Sequence, residues 1–213
     1  MQLRQLEKVI FPPTKNININ MMPFIIGDPT SIPSEYRHYC PLIQKCSVDE
    51  QEFGKVGYLS IAESKVRAGH SQRRSGLHTE RPNNKDGWGK GGWGGGLETK
   101  DKLIGGLYMA SNVENSCQAW NIAIEHPGHL GSCEEHEHLL TDDIKHIFLE
   151  NELVWMTDRC PHESMILAKD TYRQWFRFVT SQVTIWYSEH STFNNLGIQP
   201  NCEIIYGSKF ASE

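Results

Sequence analysis

Apolar and β-branched positions along the chain come in short runs separated by turn residues. Lys55–Ala62 (KVGYLSIA), Glu152–Thr157 (ELVWMT), Tyr172–Thr180 (YRQWFRFVT) and Gln182–Ser188 all read as strands. Leu103–Val113 and Cys117–Glu125 read as a hairpin turning at Glu114-Asn115. Asn16–Asn20 alternates polar and apolar residues over five positions, enough for one short strand. Helical spacing is scarce: Ser34–Ile43 and Glu134–Leu149 are modest candidates, the second interrupted by Thr141-Asp142-Asp143. Residues 11–45 hold Pro12, Pro13, Pro23, Pro29, Pro33 and Pro41, which exclude a long helix there.

Short strands at this spacing predict an all-β domain, a sandwich or a barrel. The 213 residues fit one domain, with an arm over residues 1–50, a β core over 55–190 and an extension over 191–213. Six Trp, seven Tyr and eight Phe supply apolar mass for a packed core. A net charge of −5 without a Lys/Arg block argues against nucleic acid or an anionic membrane surface as partner. The N-terminal residues lack the apolar run of a signal peptide, and no stretch approaches a membrane span, so a soluble cytoplasmic protein is expected. Cys40, Cys46, Cys117, Cys133, Cys160 and Cys202 form no CxxC pair and are expected to be free thiols.

The segment Gly87–Gly96 (GWGKGGWGGG) contains seven glycines and two tryptophans but no phosphate-binding GxxxxGK[ST] pattern. It is either a plain surface loop or a lid whose Trp88 and Trp93 close over a ligand.

Three residues carry candidate metal chemistry. In His78-Thr79-Glu80, positions i and i+2 of a strand point to one side, so His78 and Glu80 could grip one ion. Such a pair arises by chance about once in a chain of this composition, so its context decides. That context is the strand Leu153–Met156, the stiff approach Asp158-Arg159-Cys160-Pro161-His162, and Arg173 opening an aromatic strand ten residues further on. In these residues the chain resembles the Fe(II)/2-oxoglutarate-dependent oxygenases of the cupin-like double-stranded β-helix class. The signature of that superfamily is His-x-Asp/Glu, a distal His, and an Arg or Lys some ten residues later.

The resemblance spans about residues 55–190 and implies His78, Glu80 and His162 as ligands of Fe(II). It implies Arg173 as the anchor of the far carboxylate of 2-oxoglutarate. It implies a double-stranded β-helix and the oxidation or hydroxylation of a small polar substrate. Glu80 stands where most members carry Asp. Arg177 shares the parity of Arg173 about 13 Å further along an extended strand, and Arg173 has the superfamily's spacing. On this basis Arg177 is expected to touch stability alone.

The chemistry is coherent on residue types as well. Two neutral imidazoles and a carboxylate on one face of an octahedral iron leave room for a chelating 2-oxo acid and O₂. Guanidinium binds a planar carboxylate through a two-pronged pair of hydrogen bonds. Two other readings stay open: a cupin-type metal dioxygenase or isomerase without 2-oxoglutarate, and a non-catalytic β-barrel that binds a ligand. Residue by residue, Glu80 could simply pair with Arg74 or Arg81, and His162 could cap a strand end. A rival metal cluster, His126, His129, His136 and His138 among Glu125, Glu134, Glu135 and Glu137, reads more naturally as a hydrated acidic loop. Trp175 and its aromatic neighbours read as core, and Asn112, Gln118, Trp120 and Arg159 as possible pocket residues.

Overall fold

The computed structural model describes residues 1–80 and 92–207. It is mostly β, with several antiparallel sheets and few short helices.

The longest apolar runs build the largest sheet. Leu3–Lys8 (β1), Asn18–Ile25 (β2), Val56–Val66 (β3), Leu107–Ser111 (β6), Glu152–Met156 (β9) and Thr171–Val179 (β11) assemble in the order β1-β9-β6-β11-β3-β2. All neighbours in it are antiparallel. A second sheet, in the order β10-β7-β8, is made by His162–Ser164 (β10), Cys117–Trp120 (β7) and Lys145–Ile147 (β8). Two small pairs complete the set. Leu97–Glu98 (β4) lies beside Leu103–Ile104 (β5), and Ile185–Tyr187 (β12) runs parallel to Glu203–Ile205 (β13).

β11 sits near the middle of the large sheet, and its alternation separates two cores. Trp175 and Val179 face one way, together with Met109, Val154 and the small-sheet residues Cys117 and Ala119. Phe176 and Phe178 face the other way, packed with Tyr108, Trp155 and the arm residues Ile17, Tyr39 and Leu42.

The structure corrects several expectations. Residues 1–50 are more than an irregular arm, because β1 and β2 supply the two edges of the large sheet. Pro23 is tolerated in β2 because an edge strand can spare a ladder donor. The expected 103–125 hairpin does not form. Its first half breaks at Gly105-Gly106 (φ 62° and 83°), where a Cβ on Gly106 would strike the Trp155 indole. Its second half, β7, pairs in the other sheet with β8 and β10. Residues 112–116 are therefore a crossing between sheets, with Asn115 at φ 54°. The helix expected over Ser34–Ile43 begins later, as a 3₁₀ turn at Arg37–Tyr39 leading into an α-helix, Cys40–Lys45. Glu134–Leu149 divides into two 3₁₀ turns and β8. All six cysteines are free. Among the described residues no helix is long and apolar enough to cross a membrane.

Candidate metal centre

The site forms where a short extended segment meets the small sheet. The backbones of His78 and His162 exchange both hydrogen bonds, N to O at 3.1 Å and 2.9 Å, which makes the two residues direct cross-strand partners. Thr79 N donates to Gly131 O at 2.9 Å, fixing the other edge of the segment. That approach requires a glycine: a Cβ on Gly131 (φ 80°) would lie 2.4 Å from Thr79 O. His78 and His162 consequently project side by side, ring centroids 4.6 Å apart. Glu80, two residues on, falls on the same side.

The ligand atoms of His78, Glu80 and His162 lie within 4.8 Å of one another, the only such group of three or more among the described residues. All three are buried, at 8%, 4% and 5% exposure. Each imidazole is oriented from behind by a backbone carbonyl: His78 Nδ1 lies 2.7 Å from Gly76 O, and His162 Nδ1 lies 3.0 Å from Cys160 O. A carbonyl only accepts, so Nδ1 carries the proton and each Nε2 keeps its lone pair for a metal. Burial pushes both imidazole pKa values down, that of His78 well below its usual value, so both rings are neutral. His162 Nε2 is 3.8 Å from Glu80 Oε1, which leaves space for an ion between them. Two neutral imidazoles and a carboxylate on one side suit a divalent iron-type ion.

Two arginines of β11 reach this region. Arg177 forms an ion pair with Glu80 through Nη1, while among the described residues its Nε has no hydrogen-bond partner. Arg177, expected to touch stability alone, thus also contacts one of the three candidate ligands. Arg173, fully buried, spends its guanidinium on neutral groups alone: Nε donates to Ser111 Oγ (3.1 Å), Nη1 to Ser164 Oγ (2.9 Å) and Nη2 to Cys117 Sγ (3.0 Å). Among the described residues no carboxylate pairs with it.

The surrounding cleft, about 640 Å³ with its open mouth, is also lined by Arg73, Arg74, Trp93, Trp175, Gln118 and Glu163. Trp175, read from sequence as core, is buried in the core and also lines the cleft. Arg73 escaped the sequence reading, and Arg74 entered it only as a possible ion-pair partner of Glu80; their position five and four residues before His78 was the available signal. Of the other suggested pocket residues, Gln118 lines the cleft, whereas Asn112 bonds to Gln174, Arg159 pairs with Glu125 and Trp120 is in the core. Arg74 donates to Leu130 O rather than forming an ion pair with Glu80, and Arg81 lies outside the described residues. The histidine-rich segment does not converge: His136 Nε2 bonds to the backbone of His126. Within the glycine-rich stretch, residues 87–91 with Trp88 are outside the described residues. Trp93 is buried and donates from Nε1 to Ile185 O at 2.8 Å. Comparison with protein-family models, curated proteins and solved structures finds no match for this chain.

Proposed function

We propose that this protein is a mononuclear non-haem Fe(II) oxygenase that consumes 2-oxoglutarate and oxidises or hydroxylates a small polar substrate on a double-stranded β-helix. The observation that carries the reading is Arg173, a wholly buried guanidinium beside a three-ligand site whose partners among the described residues are all neutral. A desolvated cation without a counter-charge is costly, and a dicarboxylate cosubstrate removes that cost on binding. The fold reading is supported by the way successive segments alternate between sheets. β3, β6, β9 and β11 lie in the large sheet; the His78 segment, β7, β8 and β10 lie on the opposite side.

In this reading His78, Glu80 and His162 hold the iron, which with 2-oxoglutarate supplies the oxidising power for attack on an unactivated C–H bond. The chain's own work is placement. Gly76 O and Cys160 O hold the two imidazoles in the liganding tautomer. Arg177 fixes the rotamer of Glu80 through its ion pair. Arg173, with Ser164 beside it, receives the far carboxylate of the cosubstrate through charge-assisted hydrogen bonds. The tryptophans Trp93 and Trp175 wall off water.

The test is anaerobic Fe(II) addition with and without 2-oxoglutarate, watching for the weak visible charge-transfer band of the chelate, followed by succinate release in air. Iron binding without the band leaves a cupin-type enzyme that does not use 2-oxoglutarate. Absence of stoichiometric iron binding leaves a ligand-binding barrel.

A further inference from the structure

The cleft holds more positive charge than a metal and a cosubstrate account for. Arg73, Arg74 and Arg177 line it and Arg173 lies behind Cys117 and Ser164, whereas Glu80 and Glu163 are the carboxylates among its described lining residues. Four guanidiniums against two carboxylates leave an excess of two positive charges. A divalent metal doubles the excess, and the two carboxylates of 2-oxoglutarate bring it back to two.

Arg73 is held in the cleft by neutral groups. Its Nη2 donates to Asn20 Oδ1 at 3.2 Å, and among the described residues it pairs with no carboxylate. Its guanidinium lies over the Trp175 ring, 4.5 Å from the centroid, while Arg177 approaches the same ring at 5.4 Å. Trp175 thus contacts two like charges, and its π system stabilises both. From Arg73 through Trp175 and Arg177 to Glu80, the contacts run in one line to the metal ligands. Burial, with Arg177 and Arg173 nearby, pushes the Arg73 pKa down to about 10, so the site works against the cation it contains. A structural role would give Arg73 an acidic partner. A cation held over an aromatic ring at the mouth of a reactive centre is suited to an incoming anion.

We propose that the substrate carries a carboxylate or phosphoryl group and that Arg73, supported on Trp175, is the residue that binds it, with Arg74 adding to the field. Arg173 serves the cosubstrate and Arg73 the substrate, so the two anions occupy separate guanidiniums. The proposal rests on the oxygenase reading, because it assigns Arg173 to the cosubstrate.

The experiment titrates inorganic phosphate, propionate and neutral propionamide into anaerobic protein already saturated with Fe(II) and 2-oxoglutarate, read by tryptophan fluorescence. Phosphate or propionate should produce a saturable change and propionamide none; whichever anion binds tighter separates phosphoryl from carboxylate substrates. Arg73→Gln should weaken that anion about tenfold to a hundredfold, and Arg73→Lys should keep most of the affinity. Equal response to propionamide, or unchanged affinity in Arg73→Gln, overturns the proposal while the 2-oxoglutarate band still stands. Displacement of 2-oxoglutarate by the anion also overturns it, because both would then share one guanidinium. Failure of the band in the unaltered protein is a separate result and removes the oxygenase reading together with this one. Should Arg73→Gln fail to fold, Arg73→Lys and the contrast between charged and neutral probes decide.

Discussion

The two faces of β11 treat buried charge in opposite ways. On the face toward the N-terminal residues, Glu63 of β3 lies opposite Gln174 and is met by four donors. Its Oε2 accepts from the backbone N–H groups of Lys15 (2.7 Å) and Ile17 (2.9 Å). Its Oε1 accepts from Tyr39 OH (2.7 Å) and Gln174 Nε2 (3.2 Å). This carboxylate is a joint that pins residues 12–39 to the sheet. On the other face, Arg173 and Arg177, to either side of Trp175, present cations whose partners are neutral, aromatic or the carboxylate of Glu80. A saturated polar network is what structure requires. Incomplete compensation beside a cleft is what a binding site requires. The same strand supplies both, because its side chains alternate.

The sharpest break between the faces is metal binding. His78→Ala or His162→Ala should abolish stoichiometric Fe(II) binding, since two protein donors make an incomplete site. The fold should persist in both, as their ring Nδ1 atoms bond only to local carbonyls. Anaerobic iron titration with a parallel thermal melt checks this, and full iron occupancy in either variant overturns the ligand assignment.

Next in size is Arg177→Leu, which removes an ion-pair partner of the buried Glu80. Removing one member of a buried pair costs about 3–5 kcal/mol. Metal-free protein should therefore lose stability, and added Fe(II) or Mn(II), taking over as partner of Glu80, should restore more of it than in the unaltered chain. Denaturant midpoints with and without metal measure the difference; equal metal stabilisation in both proteins refutes the pairing as a feature of the metal site.

Arg173→Leu sharpens the contrast further. Hydrogen bonds to charged groups contribute about 1.5–3 kcal/mol, so 2-oxoglutarate affinity should fall about tenfold to several hundredfold with iron binding unchanged. Stability should move little, because the variant also removes an uncompensated buried cation. Calorimetric titration of 2-oxoglutarate reads the result. Unchanged affinity places the cosubstrate elsewhere.

The smallest effect lies on the opposite face. Burial pushes the Glu63 pKa up, but the Ile17 amide, the Tyr39 hydroxyl, the Lys15 amide and Gln174 together outweigh it and hold the carboxyl below its usual 4.5. A depressed folded-state pKa gives stability that is full above about 4.5 and lost as pH falls through the folded value. Glu63→Gln should accordingly be less stable than the unaltered protein at pH 7, and the two should converge in acid. Iron and 2-oxoglutarate titrations at neutral pH should not change. A gap that persists at low pH shows that the network does not depend on ionised Glu63.

Much of this arrangement was legible in the sequence because it depends on local pattern. Strand runs such as 55–62 and 172–180 are short stretches rich in aromatic and aliphatic residues, which is enough to place them within a residue or a few of β3 and β11. His78 and Glu80 share a face by spacing alone, and Arg173 and Arg177 do so by parity. Other features had no local signal. Leu3–Lys8 has too little apolar character to announce an edge strand, and it is a strand because β9 offers it a ladder. Leu103–Val113 reads as one arm of a hairpin, yet Gly105-Gly106 and the left-handed Asn115 send its two halves into different sheets. The partner of Glu80, 97 residues away, and the stacking of Arg73 on Trp175, 102 residues away, are long-range contacts. Sequence by itself determined the chemistry available: strands, two imidazoles, a carboxylate and two arginines of one strand parity. Tertiary structure alone decided which arginine faces which charge, because that depends on strands far apart in the chain closing around one cleft.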